Sequence, residues 1–233
     1  MNRVLFRQLD PGDGPGSAGY DPERASADEL LHYKAVRTGL KLFLMVVTSL
    51  FFLFLIAFLI RSQVDDWQPL TAAGAPLADP WPLWLTTSLL LLSSIALHWG
   101  RVCARENMPR LTGYSMAFAG LFAIAFLIGQ LWVWQLFVEA GFRVSDNAAN
   151  SFFYLLTGLH GLHLLGGVVF LALIVRQLWA GIEAGQPWQR ITSHIQLCSL
   201  YWHYLFVLWV VLFVVLTSSP ETYRAIAELC GLR

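Results

Sequence analysis

The distribution of apolar and polar residues divides the chain into five long apolar stretches that are separated by short polar ones. A helix that crosses a bilayer needs roughly 20 apolar residues, and each stretch reaches that length. The pattern therefore predicts an all-α integral membrane helical bundle with five transmembrane helices. The predicted spans are 39–60, 82–102, 114–138, 151–178 and 197–218.

The segments that flank this membrane domain have a different composition. Residues 1–36 are rich in Pro, Gly and acidic residues and cannot supply a core, which predicts a mobile N-terminal tail. Residues 37–220 form the predicted five-helix transmembrane domain, and residues 221–233 form a short C-terminal segment. The tail does not open on an apolar run, so we expect the first span, and not a cleaved signal peptide, to direct insertion.

The placement of lysine and arginine predicts the orientation. Most of the 15 basic residues fall in the tail, in the 101–113 loop and in the 176–196 loop. Basic loops stay in the cytoplasm, so the N-terminus is predicted to be cytoplasmic and the C-terminus to lie outside. Charged residues make up 13% of the chain, against roughly 25% in soluble domains. With a net charge of zero, a nucleic-acid-binding surface is not expected.

The predicted spans contain no Asp or Glu. Proton and cation transporters rely on an ionisable group within the membrane, so this composition disfavours an autonomous transporter of that kind. A stand-alone channel or carrier for a neutral solute stays open. Cys103, Cys198 and Cys230 are far apart and form no CxxC pair, which predicts buried, unreactive thiols.

The fourth span carries the motif TGLHGLHLLGG, residues 157–167. Two histidines three residues apart share one face of a helix, and small residues let neighbouring membrane helices approach closely. We therefore predict a packing and hydrogen-bonding seam between helices. Its predicted members are Thr157, Gly158, His160, Gly161, His163 and Gly166, together with Gln130 of the third span.

An alternative is that the histidines bind haem or copper. Two imidazoles from facing helices at the same depth would be needed, and His163 and His203 differ in depth by roughly 10 Å at 1.5 Å per residue. His98 and His203 match better but belong to no recognisable metal-binding motif. We predict that this chain has no catalytic residue and binds no metal.

The fifth span opens with the aromatic run YWHYLFVLW, residues 201–209. Such a run is typical of an aromatic belt at the membrane interface, and it is equally suited to contact a lipid headgroup or a partner helix. Basic residues at the start of the first span are suited to anionic lipid. The predicted lipid or partner contacts are Arg37, Tyr201, Trp202, His203 and Trp209.

These motifs resemble those of haem-copper oxidase subunit III. Residues 150–167, NSFFYLLTGLHGLHLLGG, are similar to the family's TGxHGxHxxxG motif, and residues 201–209 are similar to its YWHFxDxxW motif. Residues 86–94, TTSLLLLSS, resemble NTxxLLxSS, and residues 37–43 resemble the start of the family's first shared helix. Gln130 stands where the family has a glutamine, and all five pieces follow the family's order.

The resemblance implies a short, five-helix form of this subunit, which lacks the family's first two helices. It implies a multi-pass protein of the bacterial cytoplasmic (inner) membrane that acts as a non-catalytic part of an oxygen-reducing terminal oxidase. Its direct partner would be subunit I, which holds the haem and copper, alongside subunit II and other subunits. The family's roles are support of the catalytic subunit, binding of phospholipid and support of proton delivery.

The sequence departs from the family at its membrane acids. A Ser-Glu pair becomes Val46 and Val47, the Glu of a QxxE motif becomes Val133, and the Asp of YWHFxD becomes Phe206. A further carboxylate position is occupied by Gln196. Roles that need these acids are therefore in doubt. Two related hypotheses follow: an accessory subunit of a nitric oxide reductase, or of an oxidase joined to an alternative quinol-oxidising complex.

Overall fold

The computed structural model describes residues 22–64, 67–72, 74–184 and 188–229. The regular secondary structure of these residues is entirely helical, which confirms the all-α prediction. Five helices are long and apolar enough to cross a membrane, which confirms the predicted number of spans. The helices are α1 (Pro22–Arg61), α2 (Trp81–Arg105), α3 (Pro109–Glu139), α4 (Ala148–Ala184), α5 (Trp188–Thr217) and α6 (Pro220–Leu229).

The first helix extends well beyond the predicted first span. It begins at Pro22, so residues 22–36, which we predicted to belong to a mobile tail, are helical. Proline suits the first turn of a helix because its missing N–H has no partner there in any case. The following residues include Ala, Glu and Leu, which have high helix propensity. Residues 1–21 of the predicted tail lie outside the described residues.

Helices α2 and α3 both end on a residue in the left-handed region of backbone space. Asn107 follows α2 with a φ of 56°, and the amide of Met108 donates to the carbonyl of Cys103 at 3.0 Å. Gly141 follows α3 with a φ of 87°, and its amide donates to the carbonyl of Val138 at 3.1 Å. These are Schellman-type bonds, which satisfy the last carbonyls of a helix. The chain therefore turns sharply after α2 and again after α3.

Helices α2 to α5 form a bundle in which successive helices are neighbours and α5 packs back against α2. The contacts run in antiparallel order: near the start of α4, Phe153 stacks on Phe137 near the end of α3, with ring centroids 4.3 Å apart. The largest fully buried side chains include Trp202, Trp209 and Phe126. The core between the four helices combines these aromatic rings with many leucine side chains.

Residues 40–61 of α1 attach to this bundle in another way. Long side chains make the connection: Phe51 and Phe58 are only 1% and 2% exposed. The hydroxyls of Thr48 and Tyr204 form a hydrogen bond of 2.8 Å. Helix α1 is therefore held against the bundle by these side chains.

The C-terminal segment contains the short helix α6, which the apolar pattern did not predict. Tyr223 of α6 is 4% exposed, packs against Phe58 with ring centroids 5.3 Å apart and donates its hydroxyl to the carbonyl of Val215 at 2.7 Å. Burial raises the pKa of Tyr223, so the phenol stays neutral. This tyrosine anchors α6 across the end of the bundle. Residues 230–233 of the predicted C-terminal segment lie outside the described residues.

Candidate helix-packing site around His160 and His163

The two histidines of the TGLHGLHLLGG motif meet different neighbours. A separation of three residues turns them by roughly 60° around the helix axis. The ring of His160 contacts aromatic rings of α3 and α5, whereas the ring of His163 contacts aromatic rings of α1. The predicted shared face is thus divided between two interfaces of α4.

His160 lies in the closed interior of the bundle, with an exposure of 0%. Its ring centroid lies 5.1 Å from that of Trp209 and 6.0 Å from that of Phe126. Neither ring nitrogen has a hydrogen-bond partner among the described residues. A buried polar atom without a partner lowers stability by about 1–3 kcal/mol. His160 therefore contributes ring packing here, and its predicted hydrogen bond across the seam is not formed.

Gln130 of α3 does bond across the bundle. Its amide nitrogen donates to the hydroxyl of Thr86 in α2 at 2.9 Å, while no described residue bonds its amide oxygen. The neighbouring Gly129 makes this approach possible, because an added Cβ would lie 2.7 Å from the Thr86 methyl group. This hydrogen bond joins α2 to α3, so it belongs to a different helix interface from the contacts of the α4 motif.

Indole groups form hydrogen bonds between distant segments of the chain in the interior. Trp202 of α5 donates to the Ser93 hydroxyl of α2 at 2.9 Å, and Ser93 donates in turn to the carbonyl of Ala119 in α3 at 2.7 Å. Trp209 donates to the Thr87 hydroxyl at 2.9 Å. A buried indole N–H needs such an acceptor, so these two bonds fix the rotation of α5 against α2.

Two residues of the motif take part in the contact between α3 and α4. The Thr157 hydroxyl accepts a hydrogen bond from the Trp134 indole at 3.1 Å and donates to the carbonyl of Phe153 at 2.6 Å. A Cβ added to Gly158 would lie 3.2 Å from the ring of the same tryptophan. Threonine and glycine together therefore seat Trp134 against α4.

The other glycines of the motif differ in how closely they are packed. A Cβ added to Gly167 would lie 2.9 Å from the ring of Tyr201 in α5, and one added to Gly161 would lie 3.7 Å from Leu127 in α3. Nothing lies within 4 Å of the corresponding position on Gly166. Gly167 thus makes the closest approach of the motif, and Gly166 faces open space.

His163 lies where α1, α4 and α5 meet. Its Nδ1 bonds the carbonyl of Leu159 within its own helix at 2.8 Å, and its backbone carbonyl accepts the Tyr201 hydroxyl at 2.8 Å. Phe51 of α1 meets the imidazole edge-on, with ring centroids 5.8 Å apart. The imidazole therefore has one nitrogen hydrogen-bonded within α4, and its ring packs against α1.

The alternative histidine pair, His98 and His203, does come together. Their ring centroids lie 5.9 Å apart, and Nδ1 of His203 bonds the carbonyl of Ser199 at 2.6 Å. Within the described part of the chain, no group of three or more His, Cys, Asp or Glu side chains is placed to hold a metal ion. Cys103 and Cys198 are both buried as free thiols.

The residues predicted to contact lipid or a partner fall into two groups. Trp202 and Trp209 are interior, at 0% and 1% exposure, which leaves neither indole at the surface of the chain. Tyr201 and His203 are half-buried, and Arg37 is exposed. Only the second group presents surface to lipid or to another subunit.

The positions of the family's acids lie in apolar surroundings. Val47 and Val133 are 2% and 1% exposed, so each contributes to the core, whereas Val46 is exposed. Phe206 and Gln196 are half-buried. A carboxylate at either buried position would cost about 2.5–3.5 kcal/mol to insert at the helix centre, so valine makes this interior more apolar than the family pattern implies.

Sequence reasoning missed several residues of the seam. Ser93 and Thr87 stand out in the sequence only through the resemblance, and no sequence pattern singles out Trp134 or Gly129. A usable signal was present, because buried indoles and hydroxyls tend to pair. Thr87 lies 122 positions from its partner Trp209, and Ser93 lies 109 positions from its partner Trp202. No local sequence pattern can match residues so far apart.

Comparison with known proteins identifies consistent relatives. The family model described as cytochrome c oxidase subunit III matches residues 24–218. A protein named cytochrome c oxidase subunit 3 from Triticum aestivum is 31% identical over 83% of this chain and 74% of its own length. A protein of the same name from Cyanidium caldarium is 30% identical over 77% of this chain and 65% of its own length. Another from Synechocystis sp. is 33% identical over 76% of this chain and 72% of its own length. The chain spans about two thirds to three quarters of the length of these relatives.

Proposed function

Because the chain belongs to the cytochrome c oxidase subunit III family, we propose that it is a non-catalytic subunit of a bacterial terminal oxidase. Its task is to brace subunit I, which carries the haem and copper, in a complex that reduces oxygen. The match over residues 24–218 is the observation that carries this proposal. The chain lies in the bacterial inner membrane with its N-terminus in the cytoplasm.

The interior geometry supports a bracing role. The bonds from Trp202 to Ser93 and from Trp209 to Thr87 lock α5 against α2, and Thr157 accepts from Trp134 between α3 and α4. Rigid contacts between helices are what a subunit needs if it is to hold a neighbour in place. Tyr201, His203 and Arg37, which retain surface, are proposed to contact lipid or a partner subunit.

Co-purification tests this function directly. A tagged copy of the chain is purified in mild detergent from the membranes of its own organism. The expected result is co-elution with a haem-containing polypeptide, a haem visible spectrum and oxygen consumption by the eluate. Recovery of the chain alone, without haem, would contradict the proposal and would favour the stand-alone carrier of a neutral solute.

The replaced acids support a second candidate within the same family. Val47 and Val133 fill buried positions where the family pattern has carboxylates, so the complex need not share the family's acid-dependent chemistry. The candidate is an accessory subunit of a nitric oxide reductase, or of an oxidase joined to an alternative quinol-oxidising complex. Measuring which gas the purified complex reduces separates the first of these from a terminal oxidase, and its co-purifying subunits identify the second.

A further inference from the structure

Two histidines come together on the outer surface of the bundle, between α2 and α5. His98 is exposed and His203 is half-buried, and their ring centroids lie 5.9 Å apart. Spacings of three, four and seven residues place further side chains on the same side of each helix. These side chains are apolar and exposed: Leu91 and Ile95 on α2, and Val207 and Val210 on α5. Together the six residues form the α2–α5 face.

The histidine pair lies within the apolar part of both helices. At 1.5 Å per residue, His98 is about 10 Å from Arg105, the last residue of α2. His203 is about 16 Å from Thr192, where the candidate span of α5 begins, by the same rise per residue. Arg105 is exposed and has a chain long enough to extend its guanidinium to the headgroups. An imidazole is too short to do so, and a headgroup is therefore out of reach of the pair.

The hydrogen bonds within the chain leave most of the pair's capacity unused. Nδ1 of His203 bonds the carbonyl of Ser199 at 2.6 Å, and since a carbonyl only accepts, this nitrogen carries the proton. A neutral imidazole has one donor and one acceptor, so Nε2 of His203 remains as an acceptor. No described residue bonds Nε2 of His203 or either nitrogen of His98. The pair therefore offers one donor and two acceptors at the surface.

Polar groups at this depth need a partner that hydrocarbon cannot supply. An unpaired polar group in an apolar medium is costly, and ionisable side chains inside membranes are accordingly rare and face protein or water. Hydrogen bonds between polar side chains also join transmembrane helices. The group that satisfies the pair must both donate and accept, as the hydroxyl of Ser, Thr or Tyr and the amide of Asn or Gln do.

We propose that the α2–α5 face is the docking surface for a transmembrane helix of another subunit, which places a hydroxyl or an amide against His98 and His203. The inference rests on the bracing role proposed above and gives that role a location and a chemistry. The apolar residues of the face pack against the partner helix, and the histidine pair fixes its position along α2 and α5.

Photo-crosslinking in the whole complex tests the surface. A photo-reactive phenylalanine analogue replaces Ile95 on the α2–α5 face or, as a control, the exposed Ala117 on the other side of the bundle. The two positions have similar depth, because Ser93 bonds the carbonyl of Ala119 and α3 runs antiparallel to α2. The tagged complex is irradiated in its native membrane, and the crosslinked peptides are identified by mass spectrometry.

Position 95 is expected to crosslink to another subunit several times more than position 117. The captured peptide is expected to carry a hydroxyl or amide side chain within one helical turn of the crosslink. Capture of lipid alone, of a second copy of this chain, or of a peptide without such a side chain would overturn the inference. So would equal capture of the same subunit from both positions.

Substitution of the histidines tests the polar contact. His98→Leu and His203→Leu are each expected to lower co-elution of the captured subunit in detergent about threefold, the effect of one interhelical hydrogen bond. His98→Gln keeps a donor and an acceptor and is expected to retain most of the co-elution. Ser49→Leu is the control, because this exposed hydroxyl of α1 bonds only the carbonyl of Met45 in its own helix.

The stability of the chain itself distinguishes docking from misfolding. Leucine suits a surface covered by lipid, so each histidine variant is expected to keep the thermal midpoint of the isolated chain. Unchanged co-elution in both leucine variants would contradict the docking surface. A crosslinked complex that contains no haem-bearing subunit would contradict the oxidase role and not the docking surface.

Discussion

The His160 side and the His163 side of α4 show how one motif serves two kinds of interface. On the His160 side, α4 packs closely against α3 and α5, and the fully buried imidazole has no hydrogen-bond partner within the described part of the chain. On the His163 side, α4 meets α1 through aromatic side chains such as Phe51. There the imidazole bonds its own helix at Leu159.

The comparison shows that close packing and polar satisfaction are separate properties. Glycines bring the backbones together where α4 meets α3 and α5. At this closed centre the imidazole of His160 packs against aromatic rings but makes no hydrogen bond with a described residue. On the open side the imidazole makes an aromatic contact with Phe51 and keeps one ring nitrogen hydrogen-bonded. Substitutions on the closed side should therefore have larger effects than matched ones on the open side.

Introducing a charge should give the largest difference between the two sides. His160→Lys places an ammonium in the closed interior, and at the centre of a membrane helix this costs about 2.5–3.5 kcal/mol. His163→Lys is expected to cost less, because the half-buried position lets the long side chain reach outward. The yield of monodisperse complex and its thermal midpoint measure both. Similar losses for the two variants would refute the distinction.

Adjacent glycines provide the next test. Gly167→Leu forces a side chain against Tyr201, where even a Cβ would lie at 2.9 Å, and overpacking of this kind typically costs about 1–3 kcal/mol. Gly166→Leu meets nothing within 4 Å and is expected to leave unfolding nearly unchanged. The measurement is the unfolding midpoint in a denaturing detergent. A larger loss for Gly166→Leu would show that α4 is rotated differently.

Removing one hydroxyl should test the α2–α5 lock. Ser93→Ala leaves the Trp202 indole without its acceptor in the buried interior, which is expected to cost about 1–3 kcal/mol. Ser88→Ala is the control, because that exposed hydroxyl bonds only its own helix at Trp84. Thermal unfolding of the two variants gives the comparison. Equal stability would mean that the indole–hydroxyl bond does not fix α5.

The smallest effect is expected on the α1 side. Thr48→Val removes the hydroxyl bond to Tyr204, an exposed contact whose loss is expected to cost about 0.5–1.5 kcal/mol. Ser49→Ala, which removes only a bond to the carbonyl of Met45 in the same helix, serves as the control. Protease sensitivity near α1 is the readout. A loss as large as that of Ser93→Ala would contradict the weaker attachment of α1.

Sequence reasoning reached the fold because the apolar lengths of the five spans follow from the bilayer itself. It underestimated the length of the helices. A helix continues beyond its apolar stretch until a residue ends it, as Asn107 does after α2. It also missed α6, whose ten residues are too short and too polar to show as a span.

The candidate site was only partly predictable. The pattern placed glycines and histidines on α4, but the rotation of α4 decides which histidine is enclosed, and neighbours distant in sequence set that rotation. Gly166 and Gly167 look equivalent in sequence, although only Gly167 meets a ring. The pairing of Trp202 with Ser93 joins residues 109 positions apart, so it required the tertiary structure.

The central claim is that the histidine motif packs helices and performs no metal chemistry, and His160→Phe tests it most directly. Phenylalanine keeps the ring and removes both unpartnered nitrogens, a change that can be nearly neutral or stabilising when a buried polar group lacks partners. The measurement is the haem content and oxygen consumption of the tagged complex purified with this variant. The account predicts that both are retained. Loss of haem or of oxygen reduction in a variant chain that still folds would contradict it.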